Sequence, residues 1–199
     1  MNPTIFAVDD DAAMRDALVQ LLEAAGLRVE SYADGPAFLA AYGGRPGCLL
    51  LDMAMPGMSG LQVQAELNAR GLAIPIVFLT GHGDIPMAVR AVQSGAVDFL
   101  EKPIQGATLI ERVQRALKLD QQWRQERGHT QAIQQRYSRL SPREREVMAL
   151  AVSGLTCKEI ARQLGLSPRT IEVHRTHVMY KMAAASLADL IHLAADCTS

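Results

Sequence analysis

Residues 1–118 alternate short apolar runs with segments of helical period, and few folds accept that alternation. The runs fall at 4–8, 28–32, 48–51, 74–79 and 97–100. After the first, Met14, Ala17, Leu18, Leu21, Leu22 and Ala25 recur at helical spacing, with Gly26 suited to the turn that ends the helix. Phe38 and Leu39 mark a second helix, and 61–70 reads as a third. A fourth opens near Asp84 with Pro86 in its first turn, and Leu109, Val113 and Leu117 stripe a fifth. The run at 28–32 alternates polar and apolar residues, as an edge strand does. Strand and helix repeated five times predict a doubly wound α/β domain, its parallel sheet covered on both faces.

Polar residues follow these runs at informative places. Asp9 and Asp10 come after the first run, Asp52 after the third, Thr80 after the fourth, and Lys102 just past Phe99-Leu100. The carboxyl ends of parallel strands open on one crevice, so these residues should share a pocket. Three clustered carboxylates repel unless a cation joins them, and a hard oxygen set suits Mg²⁺. Phosphoryl transfer needs an oxygen nucleophile, a cation and donors for the phosphoryl oxygens. Asp52 is the expected nucleophile, with Asp9 and Asp10 serving the metal and Lys102 and the Thr80 hydroxyl contacting the phosphoryl group. A haloacid-dehalogenase-type phosphatase would carry a second acid two residues after Asp52, where this chain has Ala54, so no enzyme is predicted.

Charge divides the chain. Residues 1–120 hold 9 Lys and Arg against 14 Asp and Glu, a net of −5; residues 121–199 hold 11 against 7, a net of +4. A basic second part is a candidate for a polyanion. Residues 119–139 are rich in Gln and Arg, and Trp123, Ile133 and Tyr137 offer little core; they predict a polar helical linker, broken or loosened at Gly128. From 140 to 199 the pattern is helical. Ser141-Pro142-Arg143-Glu144 and Thr156-Cys157-Lys158-Glu159 are capping boxes, Gly165 makes a turn, Ser167-Pro168 caps a third helix, and Ser186 opens a fourth. Two short helices joined at Gly165 form a helix-turn-helix, whose second helix enters a DNA major groove. Cys48, Cys157 and Cys197 are scattered and match no zinc spacing, as free thiols in a reducing compartment are. No apolar stretch spans a bilayer and no basic segment precedes the first apolar run, so a cytoplasmic protein with no membrane partner is expected.

The order Val8-Asp9-Asp10-Asp11, Leu51-Asp52, Met55-Pro56-Gly57-Met58-Ser59-Gly60, Leu79-Thr80-Gly81-His82-Gly83-Asp84 and Phe99-Leu100-Glu101-Lys102-Pro103 resembles a two-component receiver domain. The resemblance implies strand order 2-1-3-4-5 and phosphorylation of Asp52 by a sensor histidine kinase. It also implies Mg²⁺ held by Asp9, Asp10, Asp52 and the backbone carbonyl of Ala54, a cis Lys102–Pro103 bond, and Phe99 as the residue that turns inward with Thr80. The stretches 140–147, 154–161 and 166–175 resemble the LuxR-type DNA-binding domain, and the two together look like a FixJ-type response regulator. Cys157 stands where that family usually has Asn.

On the third helix of the second domain, Ile171, Val178 and Met182 share the expected core face. Arg169, Glu172, Val173 and Thr176 lie opposite and should meet base edges. Arg175, Lys181, Lys158 and Thr170 are expected at phosphates. The resemblance implies a homodimer formed on phosphorylation through a face that includes Val89 and Val92, with promoter double-stranded DNA and RNA polymerase as partners and activation of transcription as the outcome. Two other readings are a sigma-factor region for the helix-turn-helix and a regulator acting through protein contacts alone or independently of phosphorylation.

Overall fold

The structure is a computed structural model that describes residues 3–81 and 95–197. Strands β1 (Thr4–Val8), β2 (Arg28–Tyr32), β3 (Gly47–Asp52), β4 (Ile76–Thr80) and β5 (Asp98–Glu101) form one parallel sheet in the order β2-β1-β3-β4-β5. Among the described residues the helices are α1 (Ala12–Ala24), α2 (Gly35–Ala41), α3 (Gly60–Ala69), α4 (Gly106–Ser138), α5 (Pro142–Val152), α6 (Cys157–Leu164), α7 (Pro168–Met182) and α8 (Leu187–Cys197). The expected helix near Asp84, with Val89 and Val92, lies outside the described residues.

The two-residue period of the strands builds two cores. Phe6, Val8, Leu49, Leu51 and Phe78 face Phe38 and Leu39 of α2 and Val63 and Leu67 of α3. Their neighbours Ile5, Ala7, Cys48, Leu50, Val77 and Leu79 face Leu18 and Leu22 of α1 and Leu109, Val113 and Ala116 of α4. Burying both faces is what an all-parallel sheet requires, and β2 lies at its edge as its polar alternation predicts. β4 begins at Ile76 rather than at 74, because Pro75 has no N–H for a ladder bond and only accepts, from Leu49 N at 2.9 Å.

The chain forms two compact units, Met1–Trp123 and Arg124–Ser199. α4 contributes to both and runs unbroken through Gly128, contrary to the break expected there. One helix glycine costs only about 1 kcal/mol relative to Ala, too little to open a helix held on either side of it. On one side the buried Asp120 carboxylate accepts Gly47 N at 2.9 Å. On the other, Ile133, expected to offer little core, is fully buried with Leu140, Met148, Val178, Met182 and Leu190.

In the second unit the capping boxes at Ser141/Glu144 and Thr156/Glu159 form as expected, and Gly165 takes the left-handed conformation at φ 67°. Val147, Ala151, Ile160, Ala161 and Ile171 join α5, α6 and α7 in one core. α7 ends at Ala183, the one non-glycine residue with positive φ among those described. No single helix among the described residues is long and apolar enough to cross a membrane.

Candidate functional site

β1 and β3 end side by side, Val8 in register with Leu51, so Asp9 and Asp52 arrive at one place. Both carboxylates are buried, at 0% and 5% exposure, while Asp10 is exposed beside them. Oxygens of Asp9, Asp10 and Asp52 lie within 4.8 Å of one another, a set that fits a hard divalent cation. Lys102, from the loop after β5, reaches in to bond Asp52 Oδ1 at 2.6 Å and Asp9 Oδ2 at 2.8 Å. Its backbone N–H donates to Thr80 O at 2.8 Å, and the Lys102–Pro103 peptide is cis. Thr80 is buried as the last residue of β4, inside the strand rather than after it. Phe99 on β5 faces outward, 48% exposed.

Burial pushes the Asp52 carboxyl above its ordinary range; the hydrogen bond and charge of Lys102 pull it back without cancelling the rise, and the charge of Asp9 adds to it. Burial likewise opposes the charge on Lys102, but bonds to Asp52 and Asp9 outweigh it and the ammonium holds its proton more firmly than a free lysine. One internal cation therefore offsets only part of the charge of the carboxylate pair, and Asp52 Oδ2 also accepts Ala54 N at 3.1 Å. The Ala54 side chain is exposed.

Three supporting residues escaped sequence reasoning. Arg15 on α1 donates to Asp9 O at 2.8 Å and Asp10 O at 3.0 Å, fixing the acidic turn. Asp11, third in the acidic run, caps α1 through Ala13 N and donates its own N–H to Asp9 Oδ1. Gly60 allows close approach: a Cβ there would lie 2.4 Å from Asp52 O. Asp11 left a readable signal, since an Asp directly before a helix is a preferred N-cap, whereas the reach of Arg15 and the close approach at Gly60 depend on the fold.

On the helical unit, Ile171, Val178 and Met182 are buried, and Arg169, Glu172, Val173 and Thr176 are exposed on α7. Arg169 lies 3.4 Å from Glu172, and Thr176 Oγ1 donates to Glu172 O. Thr170 belongs to the helix cap, its N–H donating to Ser167 Oγ at 3.1 Å. Lys158 is exposed. Two expected phosphate contacts have internal partners instead of free ends. Lys181 Nζ bonds the buried Glu144 at 2.7 Å, and Arg175 Nη1 donates to Cys157 Sγ at 3.1 Å.

A doubly wound sheet with this strand-end pocket, followed by a helix-turn-helix, defines a receiver coupled to a DNA-binding module. Residues 5–114 match the response regulator receiver domain, and residues 138–194 match the bacterial regulatory proteins of the luxR family. The chain belongs to the FixJ-type response regulators, which are DNA-binding transcriptional regulators rather than enzymes. It is 46% identical over 194 residues to the transcriptional regulatory protein FixJ of Azorhizobium caulinodans, covering 96% of this chain and 90% of that one. It is 43% identical over 190 residues to nodulation protein W of Bradyrhizobium diazoefficiens, covering 95% and 84%. Among solved structures, the response regulator StyR superposes with a TM-score of 0.89 at 43% identity, over 98% of this chain and 99% of that one. Full-length FixJ from B. japonicum gives 0.61 at 44% identity, over 98% and 97%.

Proposed function

We propose that this regulator is switched by phosphorylation of Asp52 from a sensor histidine kinase, and that the phosphorylated form dimerises and binds promoter DNA to activate transcription. The observation that carries the reading is the single ammonium of Lys102 shared between Asp9 and Asp52. Asp52 is the acceptor. A carboxylate oxygen bonds phosphorus as the phosphorus–nitrogen bond of a phosphohistidine breaks, and the imidazole leaves with the bonding pair. Asp9, Asp10, Asp52 and the carbonyl of Ala54 would hold Mg²⁺, which when bound supplies positive charge against the phosphoryl oxygens. Lys102 exchanges its bond to Asp52 for one to the new phosphoryl group, and the Thr80 hydroxyl donates to the same group.

Drawing Thr80 toward the phosphoryl group vacates space at the end of β4, into which the exposed Phe99 ring turns. That repacking changes the face bearing Val89 and Val92, through which two chains pair. Pairing lets two DNA-binding domains engage a two-half-site duplex at once, so dimerisation raises affinity without changing the contacts that each domain makes. Arg169, Glu172, Val173 and Thr176 read base edges; Thr170, Arg175, Lys158 and Lys181 meet phosphates; and the bound dimer recruits RNA polymerase. These steps belong to the cytoplasm, where a kinase, Mg²⁺ and DNA are all available.

Incubation with acetyl phosphate and Mg²⁺ followed by intact-mass spectrometry tests the acceptor. Wild type should gain one phosphoryl group, Asp52→Asn none, and Asp9→Asn far less at equal Mg²⁺. A phosphoryl group retained by Asp52→Asn sinks the assignment.

A further inference from the structure

We infer that Cys157 positions Arg175 for DNA, acting as a thiol acceptor that holds the guanidinium against the helix-turn-helix. The inference rests on the reading that Arg175 meets a phosphate. Arg175 lies on α7 and Cys157 on α6, eighteen residues apart, and Nη1 donates to Sγ at 3.1 Å across the two helices. The sulfur is fixed from behind. Cys157 is the first residue of α6, immediately after the N-cap Thr156, and it packs against the core of Val147, Ala151, Ile160, Ala161 and Ile171. The capping box locks that turn, with Thr156 N donating to Glu159 Oε2 at 2.8 Å.

The two residues border a cleft of about 280 Å³, also lined by Glu172, Thr176 and Met179. Glu172 and Thr176 belong to the face proposed to read bases, so the tether holds the guanidinium at the edge of that face. A free arginine there loses considerable rotamer freedom on meeting a phosphate. One whose guanidinium already has an internal acceptor has lost much of it beforehand, and four other N–H groups remain for the ligand. A thiol is a weak acceptor, so it orients the guanidinium without competing strongly for it. An amide carbonyl at the same position would be a stronger acceptor, so the thiol leaves Arg175 freer to leave its seat.

Full-length wild type, Cys157→Ala, Cys157→Ser, Arg175→Ala and the double variant are compared for affinity to a duplex selected from a random pool, across a salt series. Arg175→Ala should weaken binding roughly tenfold and lower the salt slope by about 1, as loss of one phosphate contact does. Cys157→Ala should weaken it roughly threefold to tenfold, the size of one modest hydrogen bond. Cys157→Ser, which keeps an acceptor, should restore most of that loss. In the Arg175→Ala background Cys157→Ala should add nothing, a result that a purely structural role for the thiol would not give. If Arg175→Ala binds as wild type does, the phosphate reading fails and takes the inference with it. If Arg175→Ala weakens binding but Cys157→Ala does not, or if the two losses simply add, the positioning role alone is overturned.

Discussion

Glu144 is a carboxylate that a helix cap and a distant lysine hold in place together. The bond from Lys181 Nζ at 2.7 Å, and then the bond from Ser141 N, hold its carboxyl down to about 2 against an ordinary 4.5. A depressed folded value means that the ionised group stabilises the helical unit fully above pH 4.5, and that this stability is lost as pH falls toward 2. At about 1.4 kcal/mol per pKa unit the contribution is on the order of 3 kcal/mol. Hydrogen exchange of the α5 and α7 amides should show them opening more readily at pH about 3 than at about 7, with Glu144→Gln less stable at neutral pH and nearly flat between the two. An unchanged acid response in the variant would remove Glu144 as its cause. The sequence reads half of this site: the spacing of Ser141 and Glu144 announces a capping box. Lys181 lies 37 residues beyond Glu144, and its arrival depends on how α7 crosses α5. The bond of Arg175 to Cys157 is hidden for the same reason. By contrast Asp9, Asp52 and Lys102 were legible as a group although they are far apart in sequence, because each stands at or just past the end of a strand and parallel strands end together.

At the level of elements, periodicity carried the sheet, and single residues decided where it departed from expectation. Two-residue alternation in strands and 3.6-residue stripes in helices assign the cores correctly, since burial depends on the face and not on the partner. Pro75 delays β4 by removing a donor, a local effect that was present in the sequence but was passed over. α4 is the larger lesson. A run of Gln and Arg around one glycine reads as a loose linker when judged by its own composition. It is ordered because Asp120 and Ile133 are buried by residues distant in sequence. Nothing lies within 4 Å of a Cβ built at Gly128, so Ala fits there without strain. Gly128→Ala should therefore stabilise α4 by roughly 0.5–1 kcal/mol, seen as slower exchange of the amides near 128. No change, or faster exchange, would mean that the helix is interrupted at this position after all.

For the whole molecule, the charge division follows the functional one. The receiver half carries −5 and the helix-turn-helix half carries +4. On the proposed function, an acidic phospho-acceptor and a basic DNA reader on one chain would give a phosphorylation signal a direct outlet at a promoter. The central claim is that Asp52 controls DNA affinity. The most direct test is a DNA-binding isotherm of the full chain on a selected duplex at fixed salt and Mg²⁺, with and without acetyl phosphate, for wild type and Asp52→Asn. The account predicts that phosphorylation tightens wild-type binding roughly tenfold or more, and that Asp52→Asn stays at the unphosphorylated affinity under both conditions. Equal affinity for phosphorylated and unphosphorylated wild type, or the same tightening in Asp52→Asn, would contradict it.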